Sequence, residues 1–332
     1  MGGMTTLYLG GYTSDRPEGR SGLARVTLTE QGFGDPEPLA DLADPSWVVR
    51  DPLSEDVYAV SESASRVARV RPGEGVVATA AAGVEGPAHL AVSPDGRWLV
   101  ASGYGSGSLG LLDAGSLEPV SSLSFTGDGP HERQDAPHVH QSVFLDDARL
   151  LVCDLGADRV REVRIEDGEL RHTGDVEMPP GAGPRHLALA PGRDDLAWVV
   201  GELDQSVSTL RREDGAWEVA QTLTTTPEGP GPGETTTGGI VVAPDGAHVY
   251  VSTRGADTVS VLAVDVVGAL ALRQQVVVAS WPRFVGWVPG AEGRLLLVAA
   301  ERDDAVDVWA VDEGLLEETG HSVAWSAPTW AG

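Results

Sequence analysis

An all-β chain of seven repeated four-stranded units is predicted by three observations. First, the phrase GPAHLAVSPDGRWLVASGYGSGSLGLL (86–112) returns as APHVHQSVFLDDARLLVCDLGADRVREV (136–163), GPRHLALAPGRDDLAWVVGELDQSVSTL (183–210), TTGGIVVAPDGAHVYVSTRGADTVSVL (236–262) and WPRFVGWVPGAEGRLLLVAAERDDAVDVW (281–309), with a fainter copy at 44–70. Second, each copy alternates short apolar runs with Pro-Asp-Gly-type turns, and no convincing amphipathic helix is present. Third, the third run of each unit starts near Leu23, Val67, Leu109, Val160, Val207, Val259 and Val306, at spacings of 44, 42, 51, 47, 52 and 47 residues. Four strands every 40–50 residues or so is the pattern of a β-propeller, here with seven blades.

Within a unit, the first strand follows Pro or Gly, as at His89–Val92. Pro94-Asp95-Gly96 then supplies a φ near −65° and a residue tolerant of positive φ, which closes a hairpin. The second strand follows that turn (Trp98–Ser102), the third alternates apolar with polar residues (Val259–Val264), and the fourth precedes the next Pro. The Gly-rich stretch 103–110 falls between second and third strands and reads as a hairpin turn. The chain opens on a second-type strand, Leu7–Gly11, and closes on a first-type strand within APTWAG (327–332), so the two termini are expected to share one blade. That clasp pairs an edge that an all-β protein otherwise leaves open. One propeller domain over 4–332 is expected, with 1–3 as a start-site extension.

Composition narrows the partners. The chain has 332 residues, 41% of them hydrophobic, enough for a large core. Fifty acidic residues oppose 23 basic ones, a net charge of −27, and every basic residue is Arg. Such a chain does not bind nucleic acid through a general basic surface. An Arg placed inside a cleft is then conspicuous. One Cys, Cys153, allows no intramolecular disulfide. The N-terminus lacks a charged segment followed by a long apolar one, and no apolar run approaches the ~18 residues of a membrane span. A cytoplasmic, monomeric protein is expected, with a small anionic substrate, no nucleic-acid or membrane partner, no metal and no cofactor.

In an antiparallel hairpin the start of the first strand lies beside the end of the second, so residues at both places are expected to ring one mouth. The second-strand ends are Glu62, Tyr104, Leu155, Glu202, Arg254 and Glu301; the first-strand starts bring Trp47, His89, His138, His140, Arg185, His186, Arg283 and Trp330. Four of six second-strand ends are charged, more than a turn needs, which points to binding or catalysis. Alternation puts His138 and His140 on one strand face, where they suit acid–base work or, with a third ligand that the spacing does not supply, a metal. The plainer alternatives are a packed histidine for His140, a surface ion pair for Arg185, a turn Arg paired with Asp257 for Arg254, and an Arg partner for Glu202. Two insertions, 127–137 with His131 and Glu132 and 229–239, are expected to partly cover the mouth. No Gly-x-Ser-x-Gly elbow, P-loop, dinucleotide fingerprint or Trp-Asp signature occurs.

From LYLGGYT (7–13) to APTW (327–330), with GPAHLAVSPDG, ERQDAPHVHQSV, DLGADRV, GPRHLA, GELDQSV, VSTRG and WPRF between, the chain resembles the lactonase family of seven-bladed propellers. That family includes 6-phosphogluconolactonases and carboxymuconate-lactonising enzymes. The resemblance implies a catalytic set of His140, Arg185, Glu202 and Arg254; His89, Tyr104, His138, His186, Arg283, Glu62 and Glu301, drawn from the ring read above, are expected to bind substrate around it. It departs at Gly239, Val241, Gly201 and Thr253, where relatives often carry Glu, His, Asn and Asn. Hydrolysis of a small anionic sugar lactone is the implied activity. A muconate-type lactonising isomerase and a non-catalytic binding propeller are the alternatives, and base and acid stay unassigned between Glu202 and His140.

Overall fold

The computed structural model describes residues 4–14, 22–229 and 233–332. They form seven antiparallel sheets in which strands pair in meander order. The chain divides into two compact units, 39–185 and 1–38 together with 186–332. The unit 39–185 holds three sheets: Val48–Arg50, Val57–Ser61, Arg66–Arg71 and Gly75–Ala81; Pro87–Val92, Trp98–Gly103, Ser108–Asp113 and Pro119–Ser124; Val139–Phe144, Arg149–Asp154, Arg159–Glu166 and Glu169–Glu177. Three further sheets follow: Pro184–Leu189, Leu196–Gly201, Ser206–Glu213 and Ala216–Thr224; Thr236–Val242, His248–Arg254, Thr258–Val264 and Leu270–Val277; Pro282–Trp287, Leu295–Ala300, Ala305–Asp312 and Leu315–Ala324. Every third strand begins at, or one residue before, the position read from the sequence.

The seventh sheet is the expected clasp. Pro328–Ala331 pairs with Thr5–Gly11, which pairs with Leu23–Thr29. Tyr8 and Gly332 exchange backbone hydrogen bonds at 2.8 and 3.1 Å. Gly11 is required there, because a Cβ would lie 2.6 Å from the Ala327 carbonyl oxygen. This sheet departs from the four-strand expectation: its fourth strand is only Gly32–Phe33, and Glu37–Ala40 pairs separately with Leu23–Thr29. Gly34 and Pro36 interrupt the run, and Pro36 has no N–H to give a ladder. The expected extension 1–3, and 230–232 of the insertion 229–239, lie outside the described residues.

Burial follows strand position. Second strands such as Trp98–Gly103 and Leu196–Gly201 are buried throughout, whereas fourth strands such as Pro119–Ser124 alternate exposed and half-buried residues. Sheets pack through continuous apolar clusters, one joining Tyr58 and Val67 to Leu90, Leu99 and Leu112, another joining Trp198 and Val207 to Val249 and Leu262. Each fully buried large side chain contributes about 1.5–3 kcal/mol. Their polar ends are satisfied across sheets: Tyr58 OH donates to Ala114 O at 2.9 Å and Trp198 Nε1–H to Gly268 O at 3.0 Å.

One backbone device recurs. The residue just before the third strand is left-handed at Ser65, Gly107, Asp158, Gln205, Asp257 and Asp304, with φ between 50° and 58°. Its carbonyl accepts an N–H from just beyond the fourth strand, at Ala82, Phe125, Met178, Thr225, Val278 and Trp325 respectively, over 2.7–3.1 Å. Where it is Asp, its carboxylate also grips the backbone leading into the next first strand: Asp158 takes Gly181 and Gly183 N–H, Asp257 takes Trp281 N–H and Asp304 takes Ala327 N–H, at 2.7–2.8 Å. Asx side chains tolerate this conformation and hydrogen-bond locally, which explains the repeated Asp in GADRV, GADTV and RDDAV. These carboxylates therefore set where Arg185 and Arg283 begin their strands.

Candidate functional site

In the unit 39–185 the expected residues gather around Tyr104, which follows the strand Trp98–Gly103. His138 stacks on its ring with centroids 4.6 Å apart and planes 20° apart. His140 meets the same ring edge-on at 5.8 Å and 84°. The pairing register of Val139–Phe144 slips between Val139 and Gln141, so His140 occupies a β-bulge. Simple alternation does not hold across a bulge; the kink re-aims the side chain. Both histidines nonetheless contact Tyr104. His138 Nδ1 lies 2.9 Å from Tyr104 O, and its backbone N–H donates to Asp154 Oδ1 at 2.9 Å. Asp154 is fully buried against Arg161 at 2.8 Å; burial raises its pKa, with the guanidinium opposing that rise.

Arg185 is 3% exposed, which removes the surface ion-pair alternative. His186 is also buried. His89 packs against Trp47 with ring centroids 4.3 Å apart. Burial first, and the Arg185 charge second, push its pKa down to about 3, so its imidazole is neutral. Glu62 accepts a hydrogen bond from Ser46 Oγ. Leu155, at a second-strand end, is fully buried in the 3-10 turn Leu155–Ala157.

In the other unit Glu202 and Arg254 follow or end second strands, and both are buried. Arg254 Nη2 lies 3.0 Å from Glu202 Oε2 and donates to Thr237 O at 2.7 Å. Glu202 is thus the partner of Arg254. Asp257 instead accepts the Gly255 and Trp281 N–H groups. Burial lowers the Arg254 pKa, and the Glu202 charge opposes that fall. Arg283 occupies another bulge, between Pro282 and Phe284. It pairs with Glu301 at 3.2 Å and donates to Tyr12 OH at 2.7 Å. Trp281 has the ring face of a cation–π contact, with Arg302 Cζ at 3.3 Å and Arg254 Cζ at 5.6 Å from its centroid.

Three neighbours escaped the sequence reading. Tyr12 and Trp281 lay within quoted motifs without signalling a contact, because their partners sit far away in the chain. Arg133, in the insertion 127–137, donates through Nη2 to Tyr104 OH at 3.0 Å; its position beside His131 and Glu132 was the available signal. The four departures are filled locally. Gly201 O accepts Thr237 Oγ1–H at 2.6 Å, Thr253 Oγ1 donates to Thr225 Oγ1 at 3.1 Å and Gly239 N–H donates to Ser252 Oγ at 2.8 Å. Val241 is half-buried opposite Tyr250. A Cβ at Gly239 would come 3.0 Å from Val285 N, so a larger side chain needs the backbone to shift. Among the described residues no three His, Cys, Asp or Glu gather as a metal would need. A cleft of about 250 Å³ bordered by Asp307, Trp309 and His321 lies among outer strands and contains none of the expected residues.

Residues 6–331 match the family described as Lactonase, 7-bladed beta-propeller. The chain is 29% identical over 327 residues to the 6-phosphogluconolactonase of Bacillus subtilis (strain 168), covering 89% of this chain and 90% of that one. A relative from Arthroderma benhamiae, named probable 6-phosphogluconolactonase, is 30% identical over 235 residues, covering 64% of this chain and 58% of that one. Among solved structures, the periplasmic gluconolactonase of Pseudomonas aeruginosa superposes with a TM-score of 0.90 at 26% identity, covering 99% of both chains.

Proposed function

The chain belongs to the lactonase family of seven-bladed β-propellers, and from that premise we propose that it hydrolyses a small anionic sugar lactone of the 6-phosphogluconolactone kind. Its class is that of a lactone hydrolase, which cleaves a cyclic carboxylic ester. The name of the Bacillus subtilis relative supports the choice of substrate. The observation that carries the chemistry is the buried Glu202–Arg254 pair, a carboxylate and a guanidinium 3.0 Å apart.

Lactone opening adds a water oxygen to the carbonyl carbon, breaks the ring C–O bond, and moves a proton from the water to the departing alkoxide. Glu202 is proposed to take the water proton. Arg254 is proposed to stabilise the oxyanion, where a charged donor in a desolvated setting is most effective. His140 is the proposed donor to the alkoxide, and Arg185 a proposed anchor for the substrate's negative charge. His89 is left to packing, since its neutral ring rests on Trp47. Acid release from 6-phosphogluconolactone by purified protein tests the reading. Glu202→Gln and Arg254→Met are each expected to lower kcat by roughly 100-fold or more. Full activity in either variant would remove that residue from the mechanism, and absence of turnover by the unaltered protein would remove the substrate.

A further inference from the structure

We infer that Arg133 holds the phosphoryl end of the substrate and so sets a preference for a phosphorylated over an unphosphorylated sugar lactone. The inference rests on the lactonase reading for the substrate's chemistry, and on the insertion 127–137 for its geometry. That insertion is a built loop. Gln134 is fully buried; its Nε2 donates to Leu155 O at 2.8 Å and to Asp158 Oδ1 at 2.7 Å, and its Oε1 accepts the His131 N–H at 3.0 Å. Gly129 N–H closes the loop on Gln134 O at 2.9 Å, and a Cβ on Gly129 would lie 2.5 Å from Gln134 Oε1. Arg133 itself is half-buried, its N–H donating to His131 Nδ1 at 3.1 Å and its Nη2 to Tyr104 OH at 3.0 Å.

Two couplings place that guanidinium with the candidate residues of its own unit. The Tyr104 ring it addresses is the one that carries His138 and His140. The Asp158 carboxylate that fixes Gln134 also holds Gly181 and Gly183, the two glycines that lead into Arg185. Arg133 and Arg185 are therefore presented by segments locked to one carboxylate. A phosphate monoester carries close to two negative charges and several acceptor oxygens, and a planar guanidinium fork matches two of them at once. Arg254 is already committed to Glu202 and Thr237 O.

The test compares 6-phosphogluconolactone with unphosphorylated gluconolactone in the full-length protein. Arg133→Met is expected to raise KM for the phosphorylated lactone at least about tenfold, so that the kcat/KM ratio between the two lactones collapses. Arg133→Lys, which keeps the charge without the fork, is expected to recover part of that ratio. Arg193→Met, a surface Arg paired with Asp195, controls for the change in net charge and is expected to leave the ratio as it was. Calorimetric binding of 6-phosphogluconate gives a readout independent of turnover, with the affinity of Arg133→Met at least about tenfold weaker. Equal loss for both lactones, or unchanged 6-phosphogluconate binding in a folded Arg133→Met variant, overturns the inference. A protein that binds 6-phosphogluconate through Arg133 but turns over neither lactone overturns the lactonase reading alone.

Discussion

Buried charge is tolerated one residue at a time. Arg254 is 5% exposed and stays in place because Glu202 supplies the opposite charge and Thr237 a carbonyl. His89 takes the other route and sheds its charge, its pKa lying near 3 through burial and the Arg185 field. An unfolded histidine titrates near 6.5, so between about pH 6.5 and 3 the unfolded chain binds a proton that the folded one refuses. Stability from this residue is complete above about pH 6.5 and falls as pH drops toward 3, by an amount on the order of a few kcal/mol. His89→Asn should shrink the loss between pH 7 and pH 4 by about 1–3 kcal/mol, read from urea unfolding at both pH values. An unchanged loss in the variant would mean that His89 is not the group responsible.

At the scale of the strand and its turns, the repeat was legible and the bulges were not. Pro, Gly and apolar runs recur in fixed order, so every third strand and the terminal clasp could be placed from them. A bulge leaves no such mark, since it depends on how a partner strand is registered; that is why His140 was placed by alternation and Arg283 only by its first-strand position. Contacts such as Arg133 with Tyr104 or Arg283 with Tyr12 join distant segments, and no local pattern encodes them. The residue before the first-strand Pro shows sequence and backbone in conflict. It is left-handed at Gly86 and Gly183, with φ 55° and 62°, and also at Trp281 and Ala327, with φ 63° and 40°. A side chain in that region costs about 1–2 kcal/mol. Trp281 has cation–π contacts to offset it, whereas the Ala327 methyl adds little. Ala327→Gly should stabilise the protein by roughly 0.5–1 kcal/mol, the gain trimmed by the freer unfolded glycine. Gly86→Ala should cost about 1 kcal/mol, since its Cβ would meet only Gly105, N at 3.4 Å and Cα at 3.7 Å, and the backbone penalty dominates. Denaturant midpoints that move the other way would show that these turns are not strained.

For the molecule as a whole the governing quantity is the −27 charge carried by a 34.6 kDa chain. Much of the Arg complement is spent on local neutralisation, but its pairs differ in depth. Arg161–Asp154 has side chains 6% and 0% exposed, whereas Arg25–Glu37 stands at 44% and 64%. Salt acts on attraction and repulsion among these charges with opposite consequences for stability. It weakens exposed pairs, each contributing about 0–1 kcal/mol, and scarcely reaches the buried ones. It also screens the repulsion among unpaired carboxylates, which acts across the surface and favours expansion. The Debye length falls from about 30 Å at 0.01 M to about 10 Å at 0.1 M, so the long-range repulsion is removed first. Raising NaCl from about 0.01 to 0.3 M should therefore raise Tm, by a few degrees for a chain of this size. Tetramethylammonium chloride at equal ionic strength should do nearly the same, because screening does not depend on which cation supplies it. A falling Tm would show that exposed pairs outweigh repulsion, and a rise confined to sodium would point to bound cations in place of a diffuse atmosphere.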